Sequence, residues 1–129
     1  MKMKITITNY AYLYARTDDF FDEKGMTEQL RACRRMAAEL GVRLIGRFQE
    51  CGVANTADDR TELKILLDTI EADNIAYVIC ADTSTLAATD DQLRDITRQI
   101  EAHGASVVIA KGNRILHFDN DHDAVAARG

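Results

Sequence analysis

The sequence predicts an α/β fold. It is a single domain on a mostly parallel open sheet of four to five strands, with helices on both faces and the last strand antiparallel at an edge. Three observations lead there. Segments of alternating polarity take turns with segments of helical period along the chain. The stretch "IAYVICA" (75–81) is continuously apolar, as expected of a strand covered on both faces. No proline, internal repeat or linker divides the 129 residues, and 47% of them are hydrophobic, enough to close one core.

Each element has its own signal. In "NYAYLYAR", Tyr10, Tyr12 and Tyr14 alternate with Ala11, Leu13 and Ala15, which suits a first, central strand; the preceding "KITIT" either extends it or makes a short edge strand. From Thr27, Leu30, Cys33, Met36, Ala37 and Leu40 fall at helical spacing, with Met26 just ahead and Gly41 placed to end the helix. "VRLIGRF" alternates as a second strand. "ADDRTELKILLDTIEAD" predicts a second helix burying Leu63, Leu66, Leu67 and Ile70, and the strand 75–81 at the sheet centre follows it. Thr89 and Gln92 form a capping box ahead of Leu93, Ile96 and Ile100, with Gly104 closing that helix. "ASVVIA" is the next strand, "KGN" a turn, and "RILHF" an antiparallel edge strand. Domain limits of 1–118 are expected, with 119–129 a disordered acidic tail.

Composition excludes several classes. Charged residues make up 29% of the chain and sum to −5, so no strong intrinsic nucleic-acid binding is expected. No apolar run approaches the roughly 18 to 20 residues that span a bilayer. The expected setting is therefore cytoplasmic, without membrane contact. Cys33, Cys51 and Cys80 are an odd number without a close pair, which predicts buried, unreactive thiols and no metal. "DNDHD" begins like a calcium loop but lacks its glycine and its closing glutamate. No cofactor is indicated. His103 is expected to complement a helix C-terminus and His117 to lie at an edge. The adjacent Phe20 and Phe21 are expected to tuck into a local core, the alternative being an exposed patch that binds a partner.

In such a sheet the site lies beyond the carboxyl ends of the strands, here at Arg16 to Phe21, Glu50 to Arg60 and Ala81 to Thr89. The residues at these loops carry a resemblance. "YAR" ending a first strand, a helix with "EQLRACRRMAAELG", the strand "RLIGRF", the loop "ECGVANTADDR" and the helix "TELKILLDTIEAD" together resemble the catalytic domain of serine recombinases, the resolvase/invertase family, from about Tyr12 to Ile109.

That resemblance implies a serine just after Tyr-x-Arg that attacks a DNA phosphate, with arginines stabilising the charge that develops on the phosphoryl oxygens. Here the serine position falls on Asp18, or is lost in a two-residue deletion; the neighbouring hydroxyl is Thr17. The serines of the chain are Ser84 and Ser106, both outside that loop. In the third loop "DTSTLAAT" stands where the family has an Asp-Arg-Leu-Ser-Arg-like motif, so both arginines are gone. Arg16, Gln29 and Arg60 still match family positions and are candidates to bind an anion. The plainer alternative is that Arg16 and Arg60 pair with Asp18, Asp19 or Glu50 and brace the loops.

The resemblance also implies a dimerisation helix and a DNA-binding domain after the core, so a degenerate, truncated relative is expected. The expected function is a catalytically inactive interaction or regulatory module linked to recombination or mobile elements, with a protein partner or self-association as a homo-oligomer. The alternatives are a small-anion or nucleotide-binding domain using the degenerate site, or a residual recombinase.

Overall fold

The structure is a computed structural model and describes residues 9–118. "KITIT", the acidic tail and "DNDHD" therefore lie outside the described residues. Five strands form one sheet in the order β2-β1-β3-β4-β5: β1 (Tyr10–Thr17), β2 (Arg43–Cys51), β3 (Ile75–Cys80), β4 (Ser106–Ile109) and β5 (Arg114–Leu116). The first four run parallel and β5 pairs antiparallel to β4, as the sequence predicts. β3 is the middle strand.

The alternation in β1 divides the core. Ala11, Leu13 and Ala15 face helix α1 (Glu23–Leu40), packing with Met26, Cys33, Met36 and Ala37. Tyr12 and Tyr14 face the opposite layer, where Leu63, Leu66 and Ile70 of the α2 region (α2, Thr61–Thr69) meet Leu93, Ile96 and Ile100 of α4 (Asp90–Ala102). Small residues thus admit one helix closely, while the tyrosines fill the wider space beneath two.

Several boundaries differ from expectation, for physical reasons. α1 starts at Glu23 rather than near Thr27, because the Asp22 carboxylate accepts from the Gly25 N–H at 2.8 Å and caps the helix. It ends at Gly41, whose φ of +69° suits the left-handed cap. β2 continues past Phe48 to Cys51, since Glu50 is buried by pairing across the sheet end. α2 begins only at Thr61, because the Arg60 side chain turns inward instead of capping. A four-residue helix, α3 (Thr83–Leu86), occupies part of the third loop and was not expected. The Thr89 hydroxyl caps α4 by accepting from the Gln92 N–H, but the Gln92 side-chain amide oxygen accepts from the Ala88 N–H rather than from that of Thr89.

The β1–β2 ladder contains one irregularity: Ala11 pairs with Leu44 but Tyr12 with Gly46, leaving Ile45 as the extra residue of a bulge. A Cβ at Gly46 would come within 2.6 Å of the Tyr12 ring. Glycine is what lets this ring lie against β2, edge-on to Phe48 at 4.8 Å between centroids.

Candidate functional site

The strand order reverses between β1 and β3, and the carboxyl end of that junction is where such sheets leave a crevice for a ligand. β1 and β3 pair only as far as Leu13 and Ile79, so β1 runs on alone on that side. Gln29 of α1 fills the opening. Its amide oxygen accepts from the Arg16 backbone N–H at 3.0 Å and its amide nitrogen donates to the Arg16 carbonyl at 2.7 Å.

The Arg16 side chain is 7% exposed and joins all three loops. Nε–H donates to the Thr85 carbonyl (3.0 Å), one terminal nitrogen to the Val53 carbonyl (2.7 Å) and to the Asp18 carboxylate, and the other to the Ser84 carbonyl (2.8 Å). Four of its five N–H groups are thereby used. Arg60, 4% exposed, is engaged in the same way. It donates to the carbonyls of Asn55 (3.2 Å), Leu86 (2.5 Å) and Thr85 (3.1 Å) and to the Tyr14 hydroxyl (3.0 Å). Its Nε lacks a hydrogen-bond acceptor but sits 3.9 Å from the Glu50 carboxylate.

The unforeseen helix α3 explains where these donors go. A helix C-terminus leaves carbonyls without intrahelical partners, and cations are favourable there. The Ser84, Thr85 and Leu86 carbonyls find theirs in the two guanidiniums. Behind them, Tyr14 donates to Glu50, which also accepts from the Glu62 N–H at 3.1 Å and so steadies the start of α2. Burial, reinforced by the Glu50 carboxylate, pushes the Tyr14 phenol pKa upward, so the hydroxyl keeps its proton and remains a donor. Two guanidiniums face two carboxylates here, which leaves no net positive charge in the cluster.

The structure brings Arg16, Gln29 and Arg60 together at the rim and gives the two arginines the pairing partners Asp18 and Glu50. Asp19 does not join; its carboxylate accepts from the Phe21 N–H. Thr17 is buried and its hydroxyl donates to the Asp19 carbonyl at 3.0 Å, while the Asp18 side chain is largely exposed. The part played by the Val53, Asn55 and α3 carbonyls carried no sequence signal, because any residue supplies a backbone oxygen.

Two expectations at the rim are corrected. Phe20 and Phe21 are 66% and 82% exposed rather than buried, because the Asp18–Asp22 turn is held out from the sheet by its own backbone bonds. Cys51 is exposed, since it is the last residue of β2 and its side chain leaves the core at the strand end. Cys33 and Cys80 are buried thiols, as expected. His103 caps α4 through contact with the Gln99 carbonyl at 2.7 Å, and the exposed His117 lies 3.6 Å from Glu101. Among the described residues no helix is long and apolar enough to cross a membrane.

The family model described as "Resolvase, N terminal domain" matches residues 11–127. A resolvase family site-specific recombinase from Streptococcus pneumoniae superposes with a TM-score of 0.74 at 14% identity, over 94% of this chain and 85% of that one. The N-terminal catalytic domain of TP901-1 integrase gives 0.72 at 12%, over 92% and 90%. The C-terminal catalytic domain of ISC1926 TnpA, an IS607-like serine recombinase, gives 0.70 at 14%, over 92% and 77%. At such identities the likeness is one of fold. No curated protein matches the chain.

Proposed function

The chain belongs to the resolvase N-terminal domain family, and from that premise we propose that it serves DNA recombination or transposition as an interaction or regulatory module without cutting DNA itself. One observation carries this reading. The two arginines that match the family's phosphate-stabilising positions have most of their N–H groups committed to backbone carbonyls, Tyr14 and Asp18, and Arg60 Nε lies 3.9 Å from the Glu50 carboxylate. Charge stabilisation in phosphoryl transfer needs donors aimed at the reacting oxygens. Here both would have to abandon buried carbonyls first, each a penalty of about 1–3 kcal/mol.

The nucleophile position supports the same reading. Asp18 would bring negative charge to a phosphodiester, and the Thr17 hydroxyl is buried and already donating. Self-association or a protein partner is then the role left to the scaffold.

Incubation with supercoiled plasmid, followed by denaturing electrophoresis, tests the proposal. Neither nicked DNA nor a protein–DNA adduct is expected; a phosphoserine or phosphothreonine adduct would overturn it. A thermal-shift series with phosphate and nucleotides addresses the anion-binding alternative, since a ligand of the native state raises Tm. No shift is expected.

A further inference from the structure

Two surface features outside the buried cluster are complementary to each other. The first is the turn after β1. Phe20 and Phe21 stack edge to face with centroids 5.2 Å apart, and Phe21 is the most exposed large apolar residue among those described. Exposed Asp19, Asp22 and Glu23 surround them in sequence, beside Asp18, whose charge is met by Arg16. The turn is preorganised: Thr17 Oγ1 donates to the Asp19 carbonyl, Phe21 N–H to the Asp19 carboxylate, and Asp22 N–H to the Asp19 carbonyl. Phe20 also leans over Gly52.

The second feature is a groove of about 250 Å³ on the α1 side of β2. Leu13, Leu44, Ile45 and Gly46 give it an apolar lining, and Arg34 and Arg47 flank it. The β1–β2 bulge places Ile45 there, 43% exposed. Among the described residues neither arginine has a carboxylate in ion-pair contact.

We infer that the Phe20–Phe21 turn of one copy docks into the Leu44–Arg47 groove of a second copy. An apolar pair with an acidic surround meets an apolar groove with basic flanks, so one chain supplies both halves and no other partner is needed. Fixing the turn beforehand lowers the ordering penalty on association. The inference rests on the interaction reading above and names its partner surface.

Sedimentation velocity across a concentration series is the test, with circular dichroism confirming that each variant is folded. Wild type is expected to associate, as a closed pair or a growing chain. Phe20→Ser with Phe21→Ser removes the knob, and Arg34→Glu with Arg47→Glu spoils the groove. Both are surface changes, and each is expected to weaken association by at least roughly tenfold. Mixing the two variants leaves one intact knob and one intact groove, so a mixed complex should reappear. A monomeric wild type, variants that associate like wild type, or a mixture that stays monomeric would each overturn the inference. A plasmid-cleavage assay on the same samples separates the two ideas. Absence of adducts with a monomeric wild type sinks only the docking, whereas adducts sink the non-cutting reading whatever the assembly state.

Discussion

Replacing Arg60 by methionine measures whether this cation is a brace or a spare charge. The substitution keeps an unbranched side chain of similar length but removes a guanidinium that is 4% exposed and makes four hydrogen bonds of 2.5 to 3.2 Å. It strands the Leu86 carbonyl, leaves the Thr85 carbonyl to Arg16 alone, and leaves Glu50, 5% exposed, holding a buried charge with only Tyr14 and the Glu62 N–H for company. Removing one partner of a buried ion pair destabilises by about 3–5 kcal/mol. That is a large part of the roughly 5–15 kcal/mol that holds a domain together. For a chain of this size it corresponds to a Tm lower by roughly 10–20 °C. Urea titration at neutral pH, with linear extrapolation, reads the loss directly. The double variant Arg60→Met with Glu50→Gln removes both charges, and its loss should be smaller than the sum of the two single losses. A single Arg60→Met loss below about 1 kcal/mol, or a gain in stability, would refute the reasoning, because charge held ready for a ligand commonly destabilises the empty fold.

Three further outcomes follow from the packing. Gly46→Ala sets a Cβ against the Tyr12 ring, which must shift, and should destabilise by about 1–3 kcal/mol in the same urea titration. A thiol reagent should modify Cys51 quickly in the native protein and reach Cys33 and Cys80 only after unfolding, as followed by mass spectrometry of timed aliquots. Stability should fall as pH rises above about 9, the ordinary thiol value: burial pushes Cys33 up to about 12 and raises Cys80 as well, so the native state keeps protons that the unfolded chain releases. Urea midpoints measured toward pH 11 check this, and a flat profile there would contradict it.

Much of the scaffold is legible in the sequence because it is written in apolar period. The alternation of Tyr12 and Tyr14 with Leu13 and Ala15 defines both faces of β1, and the run from Ile75 to Cys80 marks the middle of the sheet. The unread parts are those in which backbone or buried charge decides. α3 is four residues long and too short for any period to show. The end of β2 looks polar because Glu50 is buried through a pairing that depends on Arg60, ten residues away. The exposure of the Phe20–Phe21 pair is not decided by the sequence, because apolar side chains suggest a core, whereas the hydrogen bonds of Asp19 hold that turn at the surface. At the rim, Arg16, Gln29 and Arg60 could be found as residues, but their acceptors are mostly peptide oxygens that no sequence pattern distinguishes.

The Gln29 amide imitates a neighbouring strand on the side where β1 has run past the end of β3. A side chain from a helix acts there as a peptide plane, so α1 is stitched to the mouth of the fold by a two-point latch. Any tilt of α1 must pull on the Arg16 main chain, and through its guanidinium on the second and third loops together. A force applied to the outer surface of this helix would reach the far rim without passing through the hydrophobic interior.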